Sequence, residues 1–168
     1  MADDLQFERL RVSETIKVYC AGSAQGNGTT RAQSSYACVF PRHRELDQAA
    51  LIEEVDGHDA TNQRAILHAA IAALAITENY DPDARVKVIS NNDYLINTMA
   101  EYINKWKAKG WKTKEKNPPK NMDLIRRLDA AVDGRRIHWK RYNNNDDKQV
   151  AYLEKAKDTA YQVLQRAP

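Results

Sequence analysis

The sequence predicts an α/β fold, in which a five-stranded mixed sheet is flanked by helices. Three strand-like segments follow one another at the start of the chain, and strands then alternate with helices. This order is typical of a sheet that contains both antiparallel and parallel pairs and carries helices on its faces. The 168 residues, 42% of them hydrophobic and 29% charged, are enough for one globular domain of this kind.

Three runs of β-branched and aromatic residues predict the strands of the N-terminal part. They are Thr15–Gly22 (TIKVYCAG), Ser34–Phe40 (SSYACVF) and the weaker Ala49–Val55. Polar residues from Gly22 to Thr30 predict a turn after the first strand. Residues 1–14 precede these patterns and are predicted to be an N-terminal extension of a domain over residues 15–165.

Apolar residues at helical spacing predict the first helix over Thr61–Glu78, capped by Asp59 or Thr61. The next elements are a strand at Arg85–Ser90 and a helix from about Asn92 to Lys109, which ends at Gly110. A loop, Trp111–Pro119, leads to the remaining predicted elements. These are a helix at Met122–Val132, a strand at Arg136–Tyr142, a polar loop at Asn143–Lys148 and a last helix.

The composition excludes several classes of protein. The longest apolar run, Ala65–Ile76, is interrupted by His68 and is too short to cross a bilayer. The acidic N-terminus lacks the pattern of a secretory signal, so an intracellular protein is expected. Two cysteines, Cys20 and Cys38, cannot build a disulfide scaffold or a four-cysteine zinc site, and buried free thiols are predicted.

Positive charge is concentrated in one segment of the chain. Between Lys105 and Lys120 there are seven lysines and a single acid, Glu115, whereas the whole chain carries a net charge of only +3. A basic element on a slightly acidic body indicates a polyanionic partner that contacts one face.

Several local strings, in the same order as the predicted elements, resemble the type 1 ribonuclease H family from about Ile16 to Leu164. The matching strings are Gly26-Asn27-Gly28, Thr61-Asn62-Gln63-Arg64-Ala65, Ile96-Asn97, the stretch WKAKGWKT over residues 106–113, and Lys120-Asn121. The resemblance implies the ribonuclease H-like fold, with the lysine-rich segment as its basic protrusion. It also implies cleavage of the RNA strand of RNA–DNA hybrids by two Mg²⁺ ions that four carboxylates hold.

The four positions that the resemblance assigns to those carboxylates hold other residues. They are Ala21, Ile66, Asn91 and Ala151. The loop before the last helix also lacks the histidine that the family carries there. We therefore predict no catalytic residue, no metal ion and no cofactor, which makes the chain a pseudo-enzyme. Neighbouring acids are the alternative ligands. Asp146 and Asp147 lie in the loop near the fourth position, but Asp93 is predicted to point away from Asn91, and a rebuilt site needs at least three such substitutions at once.

The resemblance assigns nucleic-acid contacts to residues that the chain retains. Asn27, Asn62 and Gln63 match residues that bind the RNA strand, and Thr61 and Asn121 match a phosphate pocket for the DNA strand. Tyr102 and Trp106 match an aromatic channel for the DNA sugar. The remaining candidates lie in the basic protrusion and are Lys107, Lys109, Trp111, Lys112, Lys114 and Lys120.

Each of these residues also has a purely structural interpretation. Thr61 and Asn62 can cap a helix, Trp106 continues an apolar stripe, and Trp111 can anchor its loop. Seven lysines interleaved with two tryptophans nevertheless exceed what solubility requires, and this pattern favours binding to a nucleic-acid backbone.

Three functions remain open from the sequence. The first is an inactive module that grips RNA–DNA hybrid or double-stranded RNA by shape and backbone contacts. The second is a protein-interaction scaffold that keeps only the fold, as a subunit of a ribonucleoprotein or a larger complex. The third is an active hybrid ribonuclease with a rebuilt metal site.

Overall fold

The computed structural model describes residues 14–26, 31–55, 57–112 and 117–168, and its centre is a five-stranded sheet. The strands in chain order are β1 (Thr15–Gln25), β2 (Gln33–Val39), β3 (Gln48–Ile52), β4 (Arg85–Ser90) and β5 (Ile137–Arg141). Across the sheet the order is β3-β2-β1-β4-β5. The pairs among the first three strands are antiparallel, and the pairs β1–β4 and β4–β5 are parallel. The predicted fold class is confirmed.

Helices cover both faces of this sheet. They are α1 (Asn62–Tyr80), α2 (Asp93–Asn97), α3 (Ile103–Ala108), α4 (Met122–Val132) and α5 (Asp147–Gln165), and a π-helical turn at Thr98–Tyr102 joins α2 to α3. Helix α1 packs on β1, on β2 and on α4, whereas α5 packs on β1, β2 and β3. None of the described helices is long and apolar enough to span a membrane.

The alternation of side chains along β1 divides the buried residues between the two faces. Val18 and Cys20 belong to the larger cluster, which β1 shares with α1. Tyr19 and Ala21 point the other way, into a smaller cluster with Leu153 of α5. Because side chains of a strand alternate with a period of two, the same rule fixes which residues of β4 and β5 emerge on each face.

Some predicted boundaries are wrong by a few residues. The first strand was expected to end at Gly22, but it continues to Gln25 because residues 22–25 pair with β2. The third strand ends at Ile52 and not at Val55. The last helix begins inside the predicted loop, since the Asp146 side chain accepts hydrogen bonds from the amides of Lys148 and Gln149.

The two cysteines confirm the prediction of buried free thiols. Cys20 and Cys38 lie opposite each other in the β1–β2 register, and both are buried and unbridged. The Cys38 thiol donates a hydrogen bond to the carbonyl oxygen of Ala69, 3.2 Å away. The predicted N-terminal extension lies outside the described residues except for Glu14.

Helix α1 lies so close to β1 that only glycine fits at position 22. A Cβ atom on Gly22 would be 2.7 Å from the Cβ of Ala65 and 2.8 Å from the backbone nitrogen of Ile66. We expect Gly22→Ala to lower the free energy of unfolding by about 2 to 3 kcal/mol, because a helix backbone must move to admit the methyl group. Urea unfolding measures the effect.

The matched control is Gly134→Ala, since a Cβ there would meet no atom within 4 Å and only its φ of 69° opposes the change. We expect that control to lose about 1 kcal/mol. Equal losses in the two variants would contradict the close approach of α1 to β1.

Candidate functional site

The four positions that the sequence associates with catalysis lie around the junction of β1, β4, α1 and α5. Ala21 in β1 and Ile66 in α1 are each only 2% exposed. Asn91 directly follows β4 and is half-buried, and Ala151 in the second turn of α5 is exposed. The close approach at Gly22 places the backbones of residues 21 and 66 next to each other.

These four side chains do not fit a pair of magnesium ions. Magnesium is held by hard oxygen ligands, chiefly carboxylates and water. Two methyl groups and a branched alkyl chain supply no oxygen, and Asn91 supplies one neutral carbonyl. Among the residues that the structure describes, no group of three or more His, Cys, Asp or Glu side chains is arranged to hold a metal ion.

Two of the acids considered as substitutes already have other partners. Asp93 forms an ion pair with Arg141, whose guanidinium also approaches the carbonyl oxygen of Asn91 at 3.5 Å. Asp146 caps α5. Its negative charge also contributes, after burial, to the raised pKa of the Tyr19 hydroxyl. Asp147 begins α5 and is exposed.

A buried arginine organises the surface beside this junction. The side chain of Arg64, 3% exposed, donates two hydrogen bonds to the carboxylate of Asp123, at 2.9 and 2.7 Å. It also forms an ion pair with Glu54, which in turn contacts His68 Nε2 at 2.6 Å. Two hydrogen bonds to one carboxylate fix the orientation of both groups. The first turn of α1 is thereby tied to the first turn of α4.

The same arginine brings together the two residues predicted to bind a DNA phosphate. The backbone amide of Arg64 donates to the Thr61 hydroxyl, which caps α1, at 3.1 Å. Its guanidinium donates to the Asn121 side-chain oxygen at 3.4 Å. The Asn121 amide nitrogen then donates to the hydroxyl of Tyr94 at 3.1 Å. Asn121 itself precedes α4 in the left-handed conformation, with φ of 61°.

Arg64 and Tyr94 are the residues of this surface that the sequence interpretation did not single out. A signal for Arg64 was present, because a cation in an otherwise apolar helix face must be paired with acids when it is buried. Those acids, Glu54 and Asp123, are 10 and 59 residues away in the chain. No local pattern connects them.

Because of the Arg64 network, the free energy of unfolding is expected to change with pH in the acidic range. Burial disfavours the charged form of Arg64, but hydrogen bonds to Asp123 and Glu54 outweigh it and raise its pKa. The hydrogen bond from Arg64 lowers the pKa of Asp123 from 3.8 to about 2. A carboxyl group whose pKa is lowered by folding stabilises the folded state above its unfolded pKa, and this contribution disappears as pH falls through the folded value.

We therefore expect the free energy of unfolding to decrease between pH 4 and pH 2, as measured by urea unfolding at several pH values. Asp123→Asn removes this titrating group, so it should flatten that part of the profile. The exposed Asp158 provides the control, and Asp158→Asn should leave the profile unchanged. A wild-type profile that stays level down to pH 2 would contradict the network.

Aromatic side chains continue this surface along the consecutive helical segments α2, the π-helical turn and α3, which together we call the π-turn helix. Tyr102 is 39% exposed, and its ring centroid lies 5.9 Å from that of Trp106. The spacing of four residues puts both rings on one face of the helix. Trp106 also packs against the core, so it combines the structural role with an exposed edge. Tyr94 precedes them on the same helix.

Trp111 anchors its loop within the lysine-rich segment between Lys105 and Lys120. Its backbone amide donates to the carbonyl oxygen of Trp106 at 2.7 Å, and the Arg126 guanidinium lies 4.8 Å from the centre of its ring. Gly110 and Trp111 both have positive φ values, which turn the chain away from α3. The structural interpretation of Trp111 as a loop anchor fits these contacts.

The lysines of the protrusion differ in their pairing. Lys105 pairs with Glu101 at 2.8 Å, and Lys107 pairs with Asp129 at 3.1 Å. Lys109, Lys112 and Lys120 are exposed, and they form no salt bridge with any other described residue. These three lysines are therefore the better candidates for phosphate contacts.

The structure thus brings several of the predicted residues to one surface. Thr61 and Asn121 meet through Arg64, and Asn62 and Gln63 are exposed in the first turn of α1. A helix N-terminus with exposed polar side chains favours anionic groups. Asn27 and Lys114 lie outside the described residues.

Comparison with known proteins agrees with this architecture. The family model for RNase H matches residues 13–143. A ribonuclease H of an Enterobacter species is 41% identical over 128 residues, which are 76% of each chain. A ribonuclease H of a Janthinobacterium species is 32% identical over 127 residues, or 76% of this chain and 81% of its own. A ribonuclease HI of Pseudomonas aeruginosa is 31% identical over 126 residues, or 75% and 78%.

Solved structures give the same fold. The protease–reverse transcriptase of a foamy virus, solved with an RNA/DNA hybrid, superposes with a TM-score of 0.72 at 18% identity, covering 89% of this chain and 20% of that one. LC9-RNase H1, described as a type 1 RNase H with the type 2 active-site motif, gives 0.70 at 21% identity, covering 89% and 72%.

The prediction that the chain is not an enzyme is wrong by this comparison. Relatives that share 30–41% of their residues with most of this chain are named ribonuclease H or HI, which points to an enzyme. The prediction rested on four positions and inferred the absence of activity from the loss of one ligand set. Similarity to ribonucleases H over three quarters of the chain weighs against inferring a loss of activity from these positions alone.

Proposed function

Because the chain belongs to the ribonuclease H family, we propose that it binds RNA–DNA hybrid through the surface formed by α1, α4, the π-turn helix and the lysine-rich protrusion. The observation that carries the proposal is the Arg64 network, in which one arginine hydrogen-bonds both Thr61 at the start of α1 and Asn121 at the start of α4. The foamy-virus neighbour of the same fold was solved with RNA/DNA hybrid, which supports this choice of ligand.

Different side chains of the proposed surface contact the RNA strand and the DNA strand. The first turn of α1, with exposed Asn62 and Gln63, offers amides that hydrogen-bond a 2′-hydroxyl, the group that distinguishes RNA from DNA. Thr61 and Asn121 contact a phosphate of the other strand, while the neighbouring rings of Tyr102 and Trp106, tilted by 37° to each other, pack against its sugar. Lys109, Lys112 and Lys120 add sequence-independent contacts to the backbone.

Substitution of the amide side chains tests the assignment of the RNA strand. We expect Asn62→Ala with Gln63→Ala to weaken hybrid binding by about 30-fold, because each of the two lost hydrogen bonds contributes about 1 kcal/mol. Binding to duplex DNA of the same sequence should change little, since it has no 2′-hydroxyl. Fluorescence anisotropy measures both affinities.

The matched control is Gln162→Ala with Gln165→Ala, two exposed amides of α5. This control should leave both affinities unchanged. Equal losses for hybrid and for duplex DNA in the Asn62/Gln63 variant would contradict RNA-strand contact by these residues.

A second function, cleavage of the RNA strand of the bound hybrid, is favoured by the names of the relatives. Since the four side chains at the junction do not fit the magnesium pair, cleavage requires other carboxylates. The candidates are the acids that the sequence suggested as substitutes, namely Asp93 at the start of α2 and the pair Asp146 and Asp147 at the start of α5.

A labelled hybrid incubated with Mg²⁺ or Mn²⁺ tests the cleavage directly. Shortened RNA that disappears in Asp93→Asn and in Asp147→Asn would establish a site rebuilt from these acids. Intact RNA at enzyme excess, from a protein that binds the hybrid, would reject the second function and leave the first in place.

A further inference from the structure

A second basic surface lies on the other face of the sheet, beyond the edge of α5. Helix α5 packs mainly on β1, β2 and β3, and on β4 it reaches Ile89 near the end of that strand. Tyr19 and Ala21 of β1 face α5, so Lys17, two residues earlier, emerges on the same face and is exposed. Because side chains alternate along β1, the charged group of Lys17 lies on the sheet face that α5 covers in part, and it is exposed to solvent.

The neighbouring strands repeat this placement. Lys17 is directly opposite Lys87 in the parallel pair β1–β4, and Lys87 is opposite His138 in the pair β4–β5. Arg85 and Lys140 lie two residues from Lys87 and from His138 along their strands and share that face. We call these five residues the outer basic row.

The outer basic row carries uncompensated positive charge. Arg85 and Lys17 are exposed, and Lys87 is half-buried. None of the five forms a salt bridge with another described residue. A hollow of about 410 Å³ borders the row, and the described residues that line it include no carboxylate.

Protection of the sheet edge does not explain the row. Charged residues on an edge strand prevent sheets from pairing with one another, which accounts for His138 and Lys140 of β5. Lys17 and Lys87, however, lie on β1 and β4, both of which have strands on either side. Two lysines facing each other on interior strands repel, so they cost stability unless an anion lies over them.

We propose that the outer basic row is a second binding surface for a nucleic-acid backbone, separate from the surface formed by α1, α4 and the protrusion. Its cations are spread over three strands at spacings of about 5 Å across and 7 Å along the sheet, so they suit a chain of phosphates better than a single anion. Lys17 and Arg85 lie near the starts of β1 and β4, whereas Ala21 lies further along β1 and Asn91 follows the end of β4.

The chemistry of the row favours nucleic acid over a membrane or a protein. Membrane-surface binding combines cations with an apolar anchor, and protein interfaces have an apolar, often aromatic, centre. The large hydrophobic side chains that are well exposed among the described residues are Leu51, Val55, Tyr80, Tyr102 and Tyr161. None of them belongs to β1, β4 or β5.

The test uses the full chain with Lys17→Glu and Lys87→Glu together, and Lys155→Glu with Lys157→Glu on α5 as a control of equal charge change. Affinity for a 20-base-pair duplex DNA and its dependence on salt are measured for each. Both pairs are also added to Lys109→Glu with Lys112→Glu and Lys120→Glu, so that the outer basic row is the main basic surface left. In that background we expect Lys17→Glu with Lys87→Glu to lower the affinity about ten-fold, with a salt slope lower by about 1.8, which corresponds to two phosphate contacts. The control pair should leave the affinity of that background unchanged.

A bridging assay separates this inference from the proposed function. The wild-type chain, shown to be monomeric by light scattering, should carry a labelled duplex to a second, immobilised duplex. The Lys17/Lys87 variant should bind one duplex without bridging. A variant of the protrusion, Lys109→Glu with Lys112→Glu and Lys120→Glu, should also lose bridging but keep weaker binding through the outer basic row.

Three results would overturn the inference. They are bridging by the Lys17/Lys87 variant, unchanged duplex affinity and salt slope when these two substitutions are added to the protrusion variant, and, in a parallel vesicle assay, an effect of the two substitutions on phosphatidylserine vesicles but not on duplex DNA. A wild-type chain that shows no preference for hybrid would count against the proposed function. It would not affect the outer basic row, provided that the two substitutions still weaken duplex binding in the protrusion variant.

Discussion

Replacing Arg64 by alanine is expected to lower the free energy of unfolding by about 3 to 5 kcal/mol, the largest stability effect of any single substitution considered. The change leaves the carboxylates of Glu54 and Asp123 facing each other without their shared cation. Glu54 is 8% exposed, so water does not replace the lost partner. Removal of one member of a buried ion pair has a cost of this size. Urea unfolding at pH 7 measures it.

Two controls separate this effect from the general loss of an arginine. Arg44→Ala removes an exposed ion pair with Asp47 at 2.7 Å and should cost less than about 1 kcal/mol. Arg64→Met combined with Glu54→Gln and Asp123→Asn removes all the charges, so it should be more stable than Arg64→Ala alone. A loss below about 1 kcal/mol in Arg64→Ala would contradict the network as described.

Reversing the charge of Lys109, Lys112 and Lys120 is expected to weaken hybrid binding by about 100-fold or more at 0.1 M salt. If each lysine neutralises one phosphate, the slope of log affinity against log salt concentration should fall by about 2.7. All three lysines are exposed, so the melting temperature should change little. Anisotropy titrations at several salt concentrations give both quantities.

The matched control for this variant is Lys155→Glu with Lys157→Glu and Arg166→Glu, three exposed cations in or next to α5. It changes the net charge by the same amount at a different place. If the control weakened binding as much as the protrusion variant, net charge and not a local contact would determine affinity. The assignment of the protrusion would then be wrong.

The sheet and most of the elements around it could be predicted from the sequence because their signals are local. The alternation in Arg85–Ser90 and the apolar spacing in α1 each lie within one element. Boundaries set by a partner were less accurate, as for the end of β1, which is fixed by pairing with β2. The start of α5 depends on one side chain, that of Asp146.

The candidate site was only partly predictable, since its organising contacts connect distant segments. The strings that contain Thr61 and Asn121 could be recognised, but their meeting through Arg64 spans 57 residues between the arginine and the asparagine. The outer basic row also consists of residues that are far apart in the sequence. Lys17, Lys87 and His138 are isolated basic residues in the sequence, and only the register of three parallel strands aligns them.

The affinity of the full chain for one labelled hybrid and for each of its single strands, at 50 mM and 200 mM salt, tests whether the chain binds RNA–DNA hybrid through the proposed basic surface. We expect the hybrid to bind more tightly than either strand and its affinity to fall steeply between the two salt concentrations. Equal affinities for hybrid and single strands, unchanged by salt, would contradict hybrid binding through this surface.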